Sequence, residues 1–164
     1  MEQPMQQLVA ALGPKVADHK IYAGELTLLV QAQDLLAVLR TLKEQYGFDY
    51  FSDMYSIDHF RDEWRFEVGY NLMNQDGRKR IRVKTFVQED NPELDSAIGI
   101  WPAADWNERE VFDMMGIRFR GHPDLRRMFM PEDFEYFPLR KEFPLIGIPG
   151  SIQIPEKDPP KPYK

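Results

Sequence analysis

The chain has 164 residues and no cysteine, and its 21 lysines and arginines against 27 acidic residues give a formal net charge of −6. Its length predicts one domain, or one domain with an appendage, and its 43% hydrophobic and 13% aromatic content is typical of a folding chain. The missing cysteine excludes structural disulfides, cysteine nucleophiles, and thiolate ligands of zinc or iron–sulfur clusters. The acidic balance argues against a general nucleic-acid binder, because no basic surplus is available to neutralise phosphates.

The sequence gives no sign of membrane insertion or export. No apolar stretch approaches the roughly 20 residues that span a bilayer. The first twelve residues carry Glu2 and no lysine or arginine, unlike a signal peptide. We therefore expect an intracellular chain that reaches a membrane only through a partner.

Helical spacing alternates with strand patterns over the first half of the chain. Residues 5–12 have apolar side chains at helical spacing and stop at Gly13. Residues 25–30 predict a short strand. A second helix is predicted between Asp34, a candidate N-cap, and Gly47. Its apolar positions are Leu35, Val38, Leu39, Leu42 and Tyr46.

Three strands follow in the predicted order. Residues 50–57 form the first. The second alternates strictly, which predicts one buried face, with apolar side chains at Trp64, Phe66, Val68, Tyr70 and Leu72. A turn over 74–77 leads to a returning strand over 81–87. The order helix, strand, helix, strand, strand, strand, helix predicts an α+β fold, a small mixed or antiparallel sheet with helices packed on one face.

Proline dominates the last quarter of the chain. Nine of the thirteen prolines lie at or after Pro123, and from Pro144 onward the sequence cannot sustain a helix or a central strand. This extended tail still carries five aliphatic residues within ten positions, which favours a strap lying on a surface, its own or a partner's. They are Leu145, Ile146, Ile148, Ile152 and Ile154. We divide the chain into an α/β domain, 1–122, and an extended partner-wrapping segment, 123–164.

The densest segment is 101–145, which begins with a predicted helix. Asp105 and Glu108 have capping-box spacing, and the helix runs from about Trp106 to Met115 and is closed by Gly116. Arg109 and Asp113 lie one turn apart, so we expect a modest ion pair on the helix surface.

Several chemical interpretations of this segment compete. One interpretation is a metal-dependent hydrolase with five candidate ligands, Glu108, Glu110, Asp113, His122 and Asp124. It is disfavoured because Glu108 and Glu110 point about 200° apart on a helix. A basic patch for an anion is disfavoured because acidic residues alternate with its members, Arg118, Arg120, Arg126, Arg127, Arg140 and Lys141.

Two interpretations remain about equally supported. One is a contact platform of aromatic residues and arginines, types enriched at interface hot spots. The other is an internal polar network that holds loops onto the sheet, formed by Arg109, Asp113, His122, Asp124 and Arg126. His19 and His59 have no neighbouring constellation that would make either a base or a ligand.

The segment also resembles a known family. Its residues are similar to the signature of the 30 kDa subunit of respiratory complex I, in Glu108-Arg109-Glu110-x-x-Asp113-Met114-Met115-Gly116-Ile117-x-Phe119-x-Gly121-His122-Pro123-Asp124-Leu125-Arg126-Arg127 and in Met130-Pro131-Glu132-Asp133. The match continues through Pro138-Leu139-Arg140-Lys141-Glu142-Phe143-Pro144-Leu145, and Phe129 departs from the aliphatic residue usual there.

The resemblance implies a non-catalytic subunit in the peripheral arm of the proton-pumping NADH:quinone oxidoreductase, on the cytoplasmic side of the bacterial inner membrane. It implies no cofactor or metal in this chain, with FMN and iron–sulfur clusters on partner subunits. The C-terminal segment would wrap the 49 kDa subunit, which helps to form the quinone site. Equivalent subunits occur in membrane-bound hydrogenases, the ferredoxin-dependent complex and the F420-dependent complex, which stay open as alternatives.

No catalytic role is implied for any signature residue. The residues to which the resemblance assigns contact with partner subunits or a structural network are Glu108, Arg109, Glu110, Asp113, Gly116, His122, Pro123, Asp124, Arg126, Arg127, Pro131, Pro138, Leu139, Arg140 and Lys141.

Overall fold

The structure is a computed structural model that describes residues 2–60, 62–145 and 147. Its helices and strands are α1 (Glu2–Leu12), β1 (Val16–Tyr22), β2 (Glu25–Val30), α2 (Leu35–Tyr46), β3 (Tyr50–Asp58), β4 (Phe66–Asn74), β5 (Lys79–Val87), β6 (Glu93–Asp95), α3 (Ala104–Met115) and β7 (Arg118–Arg120). Short 3-10 turns precede β1 and α2. None of the helices in the described part of the chain is long and apolar enough to cross a membrane.

Five strands form the main sheet in the order β1-β2-β5-β4-β3, antiparallel except for the central β2–β5 pair. Strands β6 and β7 form a separate parallel pair. The core lies between one face of the main sheet and the three helices, all of which contribute buried side chains to one cluster. The predicted α+β fold, a mixed sheet with helices on one face, is therefore confirmed.

The apolar pattern positioned most of these elements correctly. Helix α2 buries Leu35, Val38, Leu39 and Leu42, and Gly47 ends it in the left-handed conformation at φ 69°. Asp34 occupies the N-cap position, but its side chain makes no capping hydrogen bond.

Strand β4 buries the predicted face, but not in the predicted extent. Phe66, Val68, Tyr70 and Leu72 are buried against the helices. Trp64, predicted to share that face, lies before the strand and is 51% exposed, so that assignment was wrong. The other face of β4 is not fully exposed to solvent either, because Glu67 on that face is also buried.

Three strands were missed by the sequence interpretation. Strand β1 is mostly exposed and therefore shows no apolar periodicity. It pairs with β2 through a two-residue turn in which Ala23 and Gly24 both have positive φ, 50° and 81°. An alanine there conceals the turn, since glycine or asparagine is the usual signal. Strands β6 and β7 have three residues each and form only by pairing with one another.

The C-terminal segment returns to the domain as far as it is described. Residues 123–145 contain no helix or strand, yet the amide of Leu139 donates to the Met114 carbonyl at 3.1 Å. Leu145 is fully exposed. The other four aliphatic residues of the predicted strap lie outside the described residues, so the strap and the division at residue 122 stay predictions.

Candidate functional site

Helix α3 carries the first signature residues, and its Glu108 faces inward. The side chain is fully buried. Its Oε1 accepts the Ala97 amide at 2.6 Å, and its Oε2 accepts the Ser96 hydroxyl at 2.6 Å. The predicted capping box was therefore wrong, because Glu108 closes a turn eleven residues upstream and the N-cap position is held by Ala103 without a side-chain bond. Glu110 points to solvent.

Asp113, on the last turn of α3, is the anchor of the C-terminal segment. Its side chain is fully buried. Its Oδ1 accepts Arg127 Nη1 at 2.8 Å. Its Oδ2 accepts three consecutive backbone amides at 3.0, 2.7 and 3.0 Å, those of Met128, Phe129 and Met130. The predicted surface pair with Arg109 was wrong, since Asp113 faces away from solvent and toward a loop that begins 14 residues later.

The two buried carboxyls of α3 have opposite electrostatics. Burial raises the pKa of Glu108, and its two hydrogen bonds only partly oppose that rise. Burial also acts to raise the pKa of Asp113, but the three backbone amides and Arg127 outweigh it and hold that pKa below the ordinary value.

Arg109 stays near the surface of the helix. Its Nε donates to the Arg126 carbonyl at 3.1 Å, and its guanidinium lies 5.1 Å from the centre of the Trp106 ring. Arg126 itself turns outward and makes a two-pronged pair with Asp124, at 2.8 and 2.7 Å, on the surface.

His122 joins the end of β7 to helix α3. Its buried side chain contacts Asp105, with Nε2 at 3.2 Å from Oδ1 and 3.3 Å from the backbone carbonyl. Its Nδ1 accepts the Asp124 amide at 3.1 Å. Since Nδ1 accepts, the ring proton sits on Nε2 and donates toward Asp105. Pro123 follows on the surface.

The remaining signature residues lie where the C-terminal segment crosses the end of α3. Gly116 ends the helix at φ 77°, and a Cβ there would come 2.7 Å from both Phe137 and Arg140. Arg140 Nε donates to the Met115 carbonyl at 2.7 Å. Pro131 opens a turn closed by the Phe134 amide at 3.0 Å, and Pro138 precedes Leu139.

Arginine and phenylalanine side chains alternate across this region in a cation–π ladder. Each guanidinium lies over two rings, at distances from 4.6 to 5.9 Å between the guanidinium carbon and the ring centre. The order of the ladder is Phe60, Arg65, Phe66, Arg140, Phe137, Arg127 and Phe134. It runs from the end of β3 and β4 through the segment after β7, so it ties that segment to the main sheet.

The ladder begins at a buried ion pair that sequence reasoning missed. Arg65 contacts Asp58 through two hydrogen bonds of 2.8 Å and also pairs with Glu89 and Glu142. Despite burial, the bonds from Arg65 and from the Lys141 amide, at 2.8 Å, lower the pKa of Asp58 to about 2. No local signal marks this site, because the partners of Arg65 lie 7, 24 and 77 residues away.

A second missed cluster lies on the open face of the main sheet. Glu67 accepts hydrogen bonds from the Tyr55 hydroxyl at 3.1 Å and Lys84 Nζ at 3.2 Å, and contacts His59 Nε2 at 3.1 Å. The Tyr55 ring lies directly over Gly69, where a Cβ would come 2.1 Å from the ring. His59 therefore has the neighbours that the sequence did not reveal.

The structure does not bring the five hydrolase candidates together. Both oxygens of Glu108 are occupied by the 96–97 turn, and both oxygens of Asp113 by the 127–130 loop. Asp124 and Glu110 are on the surface. Within the described residues, no three histidine or acidic side chains are arranged to hold a metal ion.

Comparisons with known proteins match this architecture. Residues 28–148 match the family described as the respiratory-chain NADH dehydrogenase 30 kDa subunit. A subunit of the NADH-quinone oxidoreductase of Methylobacterium radiotolerans is 45% identical over 144 residues, which are 87% of this chain and 66% of that protein.

Two solved structures share the fold. A trypsin-resistant fragment (1–134) of Nqo5 has a TM-score of 0.64 and 28% identity, covering 76% of this chain and 98% of the fragment. A chain of the membrane-bound sulfane sulfur reductase, an archaeal respiratory membrane complex, has a TM-score of 0.78 and 26% identity, covering 88% of this chain and 86% of that chain. The chain belongs to the family of the respiratory-chain NADH dehydrogenase 30 kDa subunit.

Proposed function

We propose that the chain is a non-catalytic assembly subunit, the 30 kDa subunit, in the peripheral arm of a bacterial NADH:quinone oxidoreductase. The relatives named as subunits of NADH-quinone oxidoreductase support the NADH-linked complex over a hydrogenase-type or ferredoxin-dependent one. The chain would support electron transfer from NADH to quinone by holding other subunits in place.

One observation carries the proposal. The most buried signature side chains are committed to internal architecture, and Asp113 is the sharpest case, with one guanidinium and three backbone amides on its two oxygens. A carboxylate with all its acceptor positions occupied by the protein itself is a poor general base or ligand. It is well suited to fixing a loop that contacts a neighbour.

The composition supports a role without electron carriers in this chain. There is no cysteine to ligate an iron–sulfur cluster, so FMN and the clusters are expected on partner subunits. The partner we expect for residues 123–164 is the 49 kDa subunit. The complex would place the chain on the cytoplasmic side of the inner membrane, attached only through its partners.

Co-purification tests the proposal. The full chain, tagged and expressed in its source organism, should bring down cluster-bearing subunits of the oxidoreductase together with NADH:quinone activity. Recovery of the folded chain without any such subunit would refute it. Association with a hydrogenase instead of a flavin-containing NADH-oxidising subunit would favour the sister complex.

Truncation after Pro144 is the companion experiment. The described hydrogen bonds that tie the C-terminal segment to the domain end at Glu142, which accepts a bond from Arg65, so we expect the truncated chain to unfold at nearly the same temperature as the full chain. Recovery of partner subunits should fall. A large loss of thermal stability would show that residues 145–164 belong to the domain.

A further inference from the structure

Three large apolar side chains stand exposed on the C-terminal platform, which we define as residues 127–143. They are Phe129 (59% exposed), Tyr136 (48%) and Leu139 (54%). All three lie in a segment without helix or strand. Exposed aromatic side chains held in place mark contact surfaces in soluble proteins.

The backbone at these positions is bonded to the end of α3, directly or through Arg127, which itself pairs with Asp113. The Phe129 amide donates to Asp113 at 2.7 Å, the Leu139 amide donates to the Met114 carbonyl at 3.1 Å, and the Tyr136 carbonyl accepts Arg127 Nη2 at 3.2 Å. The platform is therefore organised before any partner arrives, which reduces the ordering entropy lost on binding.

The charges of the platform divide by sign between its inside and its surface. Arg127 and Arg140 are used internally, on Asp113, on the Met115 carbonyl and in the cation–π ladder. Four acidic residues of the platform are exposed. Glu142 pairs with Arg65 and Arg140, and the other three form no ion pair with a basic residue in the described part of the chain. These are Glu132, Asp133 and Glu135. The charge balance read from the sequence is thus absent at the surface, where Lys141 is the platform's exposed cation.

We propose that the platform docks against a partner-subunit surface that is apolar at its centre and basic at its rim. Phe129, Tyr136 and Leu139 would provide the desolvated contact. The three carboxylates would pair with lysines or arginines of the partner. Such pairs set the orientation of docking and disfavour binding to acidic surfaces of other proteins. This inference rests on the proposed assembly function and adds the chemistry of the partner.

Charge reversal in the assembled complex tests the inference. The platform variant carries Glu132→Lys, Asp133→Lys and Glu135→Lys in the tagged full chain. The matched control reverses three exposed acids at the opposite end of the sheet, Glu44→Lys, Asp49→Lys and Asp76→Lys. That end lies about 26 Å away along β4, since Asn74 there bonds the end of α2 while Phe66 contacts Arg140.

The quantity measured is the recovery of partner subunits across a salt series. We expect the platform variant to lose at least about tenfold in recovery, the control to match the unaltered chain, and the neutral set Glu132→Gln, Asp133→Asn and Glu135→Gln to fall between them. Recovery with the unaltered chain should decline with salt, because exposed charge pairs are screened. Thermal unfolding of each isolated full chain checks that folding is unchanged.

The outcomes separate this inference from the function on which it rests. If the unaltered chain recovers the complex and the platform variant does so equally well, the docking inference is overturned and the assembly function stands. Equal losses in the platform and control variants also overturn it, because they would reflect net charge alone. If no oxidoreductase subunit is recovered with any chain, the proposed function itself fails. As a second probe, Phe129→Ser should reduce recovery without changing its salt dependence.

Discussion

Two buried carboxylates five residues apart on α3 behave in opposite ways. Glu108 and Asp113 are both fully buried and both accept backbone amides. Among the described residues Glu108 has two donors and forms no ion pair, and burial raises its pKa. Asp113 has four donors, one of them a guanidinium, and its pKa is lowered.

The donors around each carboxylate explain what it does for the fold. A carboxylate that has only a few uncharged hydrogen-bond donors is little stabilised by its charge. An uncharged group of the same shape could replace it. A carboxylate with donors on every side is stabilised as the anion. Its loss would leave three amides without an acceptor and would leave the Arg127 guanidinium with backbone carbonyls only and no counter-charge. Glu108 closes a turn, while Asp113 holds the C-terminal platform.

The largest expected effect comes from Asp113→Asn. The NH2 group of asparagine is a hydrogen-bond donor, and it would point at groups that are themselves donors. The positive charge of Arg127 would also lose its carboxylate partner. We expect the free energy of unfolding, measured by urea titration of the full chain, to fall by about 3–5 kcal/mol. An unfolding free energy within about 0.5 kcal/mol of the unaltered chain, the range of an ordinary surface substitution, would show that the loop is held elsewhere.

The pH dependence of the two sites should have opposite signs. Asp113 has a lowered pKa, so its stabilisation is present above the ordinary value of 3.8 and is lost as the pH falls through the lower folded value. Glu108 has a raised pKa, so its favourable contribution is full below the ordinary value of 4.5 and is lost as the pH rises through the folded value.

Unfolding titrations between about pH 3 and pH 7 check this difference, with both variants compared with the unaltered chain at each pH. Acidification should reduce the penalty of Asp113→Asn in the lowest part of this range. It should instead make Glu108→Gln less favourable relative to the unaltered chain. Parallel curves for the two variants would contradict the contrast between the sites.

At neutral pH we expect Glu108→Gln to have a small effect. The glutamine carbonyl can accept the Ala97 amide, and its amide can donate to the Ser96 hydroxyl, so both partners keep a bond. The free energy of unfolding should change by about 1 kcal/mol or less. A loss as large as that of Asp113→Asn would mean that the charge of Glu108 is required, with the buried His122 side chain as the first group to examine.

Sequence periodicity located the helices and strands that bury an apolar stripe. It failed for the elements and side-chain pairs that are determined by tertiary contacts. Helix α2 and strand β5 were placed because their own residues alternate with the correct period. Strand β1 was missed because it is exposed, and β6 and β7 because neither has enough residues to show a period.

Side-chain partners on α3 were the least predictable feature. Helical spacing places Arg109 beside Asp113, and nothing local reveals that Asp113 faces a loop beginning at residue 127. The family signature identified these residues as a set, but it did not say which of them meet. Only the return of the chain across the helix end decides that Asp113 pairs with Arg127.

Arg109→Ala should produce the smallest effect, and it tests the sequence-derived pair directly. Arg109 loses one hydrogen bond to the Arg126 carbonyl and its contact with Trp106, so the free energy of unfolding should fall by about 0.5–1 kcal/mol. The decisive measurement is the double variant with Asp113→Asn. Because the two side chains share no partner in the described part of the chain, their effects should add within about 0.5 kcal/mol. A larger coupling energy would support the Arg109–Asp113 ion pair predicted from the sequence. Additive effects would support the structure, in which Asp113 holds the platform and does not contact Arg109.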